Sequence, residues 1–395
     1  MEPIIETLRR YVREKLFCPE TGLIYDYQTS RDHAHRFDHL PCAEEIAADS
    51  PNPCGWGTGM EDCTLNAGLM LDTGPGRERE FAAALTGGLH RVATVHGRVG
   101  FFARGISPRA PGLVYSNTSR DQLTLAVYGL WRQIHSAGAD GELRRKCAFL
   151  LRAAAADCRK FVTPETTYDL LRLDGKRGLV SQMWDCQAHE MLRLPMVYAA
   201  AFEATGEAEE LDSARSLMAE GVARTAAMDN QDSWWDLPTV QLQFSVRLLF
   251  ECGFFPEYEA QLRRILARIA AFALPRFGEV LAEAEAYRGE WETLNENWRF
   301  RPFVLQHGSV APDGSTSATG GKFYFNPAYP DAYKIPNSLL RRLGSWLTVL
   351  SAGGLAITPD EYARLQRLLS RIDLMRCGGD GPLRLLHGIE RAAAN

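Results

Sequence analysis

The stretch DQLTLAVYGLWRQIHSAGADGELRRKCAFLLRAAAADCRKF, residues 121–161, holds both kinds of helix from which this chain is built. In each half apolar residues recur at i, i+3, i+4 and i+7, the spacing that lines one face of an α-helix. The first half has no charge between Asp121 and Arg132. A helix there is apolar nearly all round and has to be covered on most sides. The second half sets an apolar stripe against Glu142, Arg144, Arg145, Lys146, Arg152, Arg159 and Lys160, as a helix exposed on one side does. The unit reads as a hairpin of one inner and one outer helix.

The same alternation runs outward along the chain. CTLNAGLMLDTG (63–74), EMLRLPMVYAAAF (190–202) and TVQLQFSVRLLF (239–250) are poor in charge and read as inner helices; 257–274 is amphipathic. Eleven helices are expected, at about 2–16, from Asp62, and at 78–96, 121–136, 141–161, 186–204, 209–227, 238–252, 257–274, 337–352 and 359–373. The best strand candidates are VGFFARG (99–105) and GKFYFNP (321–327). The inner helices share a start: GMEDC around Asp62, SRDQ around Asp121, MWDCQ around Asp185 and WWDLP around Asp236, with PDAYKIPNS around Asp331 as a further candidate. Aspartate separations of 59, 64 and 51 residues suit one helical hairpin plus loops, and six such units fill 395 residues. The expected fold is all-α, a single (α/α)6 toroid over residues 1–395. A solenoid is the alternative, although its repeats usually run about 34 to 47 residues.

Composition narrows the function. With 44 Lys+Arg against 49 Asp+Glu and no long basic block, a nucleic-acid surface built on charge is not expected. At 46% hydrophobic and 24% charged the chain is neither disordered nor collagen-like. No apolar run approaches the roughly 20 residues of a membrane span. The start, MEPIIETLRRYVREKL, is amphipathic and unlike a secretory leader, so a cytoplasmic protein is expected, or a periplasmic one if a leader was trimmed. Nine cysteines without a CxxC pair read as free thiols. A P-loop, a GxSxG elbow, an HExxH pair and a clean GxGxxG are all missing; CGWGTGMED (54–62) reads as a tight loop that brings backbone close to a substrate.

An Asp at a helix start caps free N–H groups, which needs no catalytic explanation. In a closed ring, however, the inner helices are parallel and their N-termini converge on one mouth. Carboxylates crowded there acquire different pKa values, and that separation suits the acid and base of glycosidic chemistry. Trp56, Trp184, Trp234, Trp235 and Trp298 lie beside these motifs; they either stack on sugar faces or plug the ring interior. His33, His35, Asp38, His39 and Cys42 have ligand chemistry but no helical spacing, so no metal is expected. His189 falls four residues after Asp185 and shares its face if the two are on one helix. The stretch 294–330 breaks the helical pattern, and its Arg299, Arg301, His307, Lys322 and Tyr324 are candidates to hold a substrate carboxylate.

The run MWDCQAHEMLRLPMVYAAAFEATGE (183–207) resembles the inner-helix motif of unsaturated glucuronyl and rhamnogalacturonyl hydrolases, which are (α/α)6 barrels. The resemblance covers about 25 residues and implies that Asp185 is the general acid/base that hydrates an enol-ether uronic acid, with Asp121 as its partner. Two features depart from that pattern. Ala188, His189 and Glu190 replace its phenylalanine-methionine pair, and GWGTGMEDC is foreign to it. A sister family on the same barrel, such as a saturated β-glucuronidase or another exo-glycosidase, accommodates both departures.

The expectation is a hydrolase that releases a terminal uronic sugar from an oligosaccharide without a metal or organic cofactor. Asp185, Asp121, Asp62 and Glu61 would be its carboxylates. Trp56, Asn117, Trp184, His189, Trp234, Trp235, Trp298, Arg299 and Tyr324 would bind substrate. The alternatives are a uronate lyase, in which Asn117, His189, Tyr324 or Arg299 would serve, a sugar epimerase or isomerase, and a non-catalytic helical scaffold.

Overall fold

A computed structural model describes residues 1–50, 52–228, 236–294, 303–306, 322–325 and 334–393. Its helices are α1 (Glu2–Tyr11), α2 (Ala43–Ala47), α3 (Cys63–Leu71), α4 (Arg79–Val92), α5 (Arg120–Ile134), α6 (Gly141–Phe161), α7 (Arg193–Thr205), α8 (Ala208–Ala227), α9 (Asp236–Glu251), α10 (Glu259–Ala286), α11 (Lys334–Ala352), α12 (Pro359–Leu369) and α13 (Gly381–Ala393). Two short antiparallel pairs accompany them, β1 (Phe17–Cys18) with β2 (Leu23–Ile24), and β3 (Phe303–Gln306) with β4 (Lys322–Phe325). The fold is all-α.

The two kinds of helix separate by burial. Every residue of α3 is buried, as are Gln122 to Trp131 of α5, Arg193 to Ala201 of α7, Thr239 to Val246 of α9, Leu343 to Leu350 of α11 and Gly381 to Ile389 of α13. By contrast α8 buries a single stripe, Ala214, Met218, Gly221, Val222 and Thr225, and α10 does the same through Leu262, Ile269, Phe277 and Leu281. The buried helices pack in succession: α3 on α5, α5 on α7, α7 on α9, α9 on α11, α11 on α13, and α13 on α3. Around them, α4 covers α3, α6 lies on α5 and α7, α8 on α7, α10 on α9 and α11, and α1 on α13. Two of these contacts bring backbones together. A Cβ at Gly129 would run into the Gly68 carbonyl, and one at Gly388 into that of Gly344, so α3–α5 and α11–α13 meet through glycine.

Hydrogen bonds show that α13, α3, α5 and α7 are parallel neighbours in that order. At one end the Gln122 amide of α5 donates to Asp62 at 2.9 Å, Arg193 of α7 donates to Asp121 at 2.7 Å, and Arg384 of α13 donates to Asn66 at 3.1 Å. At the other, Arg132 of α5 donates to Asp72 at 2.8 Å, and Trp131 to Glu203 of α7 at 2.6 Å. N-terminal ends meet N-terminal ends, and C-terminal ends meet C-terminal ends.

Several expectations need correction. Residues 99–105 form no strand; Phe101 and Phe102 are buried loop anchors, so their hydrophobicity reflects packing and not a β-ladder. The helix expected from 186 begins at Arg193. An earlier start would place Pro195 in a helix interior, where its ring strikes a carbonyl one turn back. Proline marks the first turn of other inner helices too, as Pro238, Pro336 and Pro382. On the outside, α10 continues past Pro275 to Ala286 because Val280, Leu281 and Ala284 still face the core. Helix α13 was not anticipated. GKFYFNP does contain a strand, β4, paired with β3.

Candidate active site

The loop before α3 folds back on itself. Gly55, Gly57 and Gly59 all adopt φ between 65° and 85°, a region open to glycine at no steric cost. Their missing side chains leave room for the protein's own groups: a Cβ at Gly55 would enter the Tyr115 ring, and one at Gly59 would strike His39 and Tyr27. Asn52 ties the loop by accepting from the N–H groups of Cys54 and Trp56 at 3.1 and 3.0 Å. The loop delivers Glu61 and Asp62 to the end where the inner N-termini gather.

Glu61 accepts from the Gly57 N–H, while Asp62 accepts from the Gln122 amide at 2.9 Å and lies 3.8 Å from Arg104 and 3.9 Å from Arg341. Burial, together with the charge of Asp62, pushes the Glu61 carboxyl up to about 7 against the pull of the Gly57 N–H, Arg104 and Arg341. Beneath them lies Asp26, a buried residue just past β2 whose oxygens accept from the backbone N–H groups of Glu61 and Asp62. Burial and the charges of Glu61, Asp62 and Asp380 raise the Asp26 carboxyl well above the usual carboxylate range. Asp380, which precedes α13, sits 3.6 Å from both Arg341 and Arg384. The Arg104 guanidinium lies over the Trp56 ring at 5.3 Å and donates to the Glu61 carbonyl at 3.0 Å.

A second group lies between α5 and α7. Buried Glu190 accepts charge from Arg120 at 3.0 Å, from Arg193 and from His189 at 3.0 Å. Burial alone would raise its carboxyl, but Arg120, Arg193 and His189 hold it well below the ordinary value. Arg193, fully buried, reaches on to Asp121. Asp121 and Asp62 are therefore linked through adjacent residues of α5, since Gln122 holds Asp62.

Other expected site residues are elsewhere. Asp185 is 69% exposed and pairs with Arg224 of the outer helix α8 at 3.1 Å. It lies in a loop with φ 49°, eight residues before α7, so it shares no helix face with His189. Trp184 is buried against Gly221 of α8 and is packing. Asn117 is buried structural polar: its amide donates to the Thr118 carbonyl and to Cys54 Sγ at 3.1 Å, and its oxygen accepts from Leu179 N at 3.0 Å. His33 and His35 face solvent, while His39 turns inward to stack on Tyr27, so the three do not converge. Trp234, Trp235, Trp298, Arg299, Arg301, His307 and Asp331 lie outside the described residues, as do the side chains of Lys322 and Tyr324. All nine cysteines are free.

Five site residues escaped the sequence reading: Asp26, Arg104, Arg341, Asp380 and Arg384. Asp380 shared with the inner-helix start WWDLP a proline two residues after the Asp, in CGGDGP (377–382). Asp26, in IYDYQ (24–28), carried no comparable signal. No family model, no curated protein and no solved structure matches the chain.

Proposed function

We propose that the twelve longer helices form an (α/α)6 toroid whose mouth is the active site of a glycoside hydrolase, one that releases a terminal uronic sugar from an oligosaccharide. The closed succession of contacts α3–α5–α7–α9–α11–α13, in which α13, α3, α5 and α7 meet end to like end, supports the toroid. The observation that carries the chemistry is Glu61, a carboxyl raised to about 7 directly beside Asp62. At neutral pH a substantial fraction of Glu61 is protonated and can give its proton to a leaving oxygen. Asp62, ringed by the donors of Gln122, Arg104 and Arg341, has the surroundings of a carboxylate that activates water. The Trp56–Arg104 stack offers a flat face and a cation beside them, suited to a sugar ring that bears a carboxylate. In this reading Glu61 and Asp62 take the roles that the family resemblance assigns to Asp185 and Asp121, because Asp185 faces an outer helix.

The test is ultraviolet absorbance of the conjugated uronate, with wild type and Glu61→Gln, on an unsaturated uronyl disaccharide and on an intact uronate polysaccharide. Loss of absorbance on the disaccharide, abolished by Glu61→Gln, supports the hydrolase. A gain on the polymer identifies a lyase and overturns it. If neither changes, release of a saturated uronic sugar is assayed, and its absence also overturns the reading.

A further inference from the structure

We infer that Asp26 is the positioning residue of this mouth: it holds the Glu61–Asp62 turn by its backbone and couples that turn to α13. The inference rests on the reading of Glu61 as the acid. Asp26 N donates to the Gly59 carbonyl at 3.1 Å, so the N-terminal segment and the glycine loop are already joined. The side chain then accepts from Glu61 N at 2.8 Å, from Asp62 N at 3.2 Å and from the Asn66 amide at 3.1 Å. The oxygen of Asn66 accepts from Arg384 at 3.1 Å, which extends the relay from β2 through α3 to α13. Two carboxyl oxygens serve three N–H donors here. An asparagine, with one acceptor oxygen, cannot replace them all.

Stability alone does not explain a carboxyl in this place. Asp26 faces Glu61, Asp62 and Cys63 at the start of α3 and Asp380 before α13, with Arg104 and Arg341 beyond Glu61. Its raised carboxyl binds a proton more tightly folded than unfolded. The stability this contributes is complete below the unfolded pKa and is lost as pH rises through the folded one. A carboxyl that loses stabilisation with rising pH while accepting from the backbone of the Glu61–Asp62 turn points to a role in that turn.

The experiment compares full-length wild type, Asp26→Asn and Asn66→Ser. Denaturant stability is measured from pH 5 to 9, the Glu61 titration is followed by carboxyl-carbon NMR on glutamate-labelled protein, and kcat and KM are measured on the uronyl disaccharide. Asp26→Asn is expected to gain stability relative to wild type as pH rises and to lower the Glu61 midpoint. It should also cut kcat about ten- to hundredfold, the scale of a small misplacement, with KM little changed. Asn66→Ser, which keeps the carboxyl, should move the midpoint less and serves if Asp26→Asn does not fold. An unmoved Glu61 midpoint in the folded variants overturns the inference, even if the rate falls. If wild type hydrolyses no uronide while the midpoint and the pH-dependent stability still move, the positioning stands and the proposed reaction fails.

Discussion

Asp72, at the C-terminal end of the inner-helix bundle, and Asp26 and Glu61, at the N-terminal end, are treated in opposite ways, while Glu190 near the N-terminal end is held down like Asp72. At the C-terminal end Asp72 sits among basic side chains: Arg132 donates at 2.8 Å, His387 lies at 3.1 Å and Arg391 at 3.5 Å. Burial there opposes ionisation, but Arg391, His387 and Arg132 hold the carboxyl far below its ordinary value. His387 is itself pushed down by burial, and its other ring nitrogen meets Thr348 at 2.8 Å. At the N-terminal end Asp26, Glu61, Asp62 and Asp380 crowd together, and two of them are pushed up. The acids at the N-terminal end and the arginines at the C-terminal end agree with the helix dipole, while Asp72, at the C-terminal cap of α3, is held against it by those arginines. One end is an ion network around a single buried carboxylate, and the other crowds four carboxyl groups together with fewer close cations than acids.

The largest expected effect tests the N-terminal end. Glu61→Gln should lower kcat by about 10²–10⁴, the contribution of a positioned general acid, while leaving the fold intact by circular dichroism. Equal loss of stability would make the mouth a second fastening point and dissolve the contrast. At the other end, Asp72→Ala takes the carboxylate from buried Arg391 and leaves Arg132 with Glu251, and should cost about 3–5 kcal/mol in denaturant unfolding. A small loss would mean that the network is not a fastening.

The pH dependence sharpens the same contrast, with opposite signs. Asp72 and Glu190 have lowered pKa values, so their stabilisation is present above the unfolded carboxylate pKa and lost as pH falls through the folded value. Glu61 and Asp26 are raised, so the stability each contributes is lost as pH climbs from the ordinary carboxylate value through the folded one, about 7 for Glu61. Unfolding free energy against pH should therefore show Glu61→Gln flattening the neutral side and Asp72→Asn the acid side. Gly129→Ala, midway between the ends, should cost about 1–3 kcal/mol by forcing α3 and α5 apart. The smallest effect belongs to Asp185→Asn. Asparagine tolerates the positive φ, only an exposed ion pair is lost, and both stability (about 0.2–1 kcal/mol) and kcat should barely change. A thousandfold loss of kcat there would return the acid role to Asp185 and break the comparison at its base.

Much of this was legible in the chain. The charge-poor runs at 63–74, 122–131, 190–202 and 239–250 supply buried helices because a surface with little charge has to be covered. The aspartates at 62, 121 and 236 do begin or precede such helices. Asp185 misled because the apolar pattern runs unbroken into α7, and Pro195 was the signal against it. Helix α13 hid behind Gly-rich CGGDGP, although Pro382 and Asp380 carried the shared punctuation.

By itself the sequence determined helix against strand, inner against outer, and which loops carry acids, because periodicity and charge are local properties. Only the tertiary structure decided which acid is raised. A carboxyl's pKa depends on the groups that surround it in space, and Arg104 and Arg341 act on Glu61 from segments far along the chain, against its burial and its neighbour Asp62. The same reason sends Asp185 to solvent and Glu190, five residues later, into a cage of arginines.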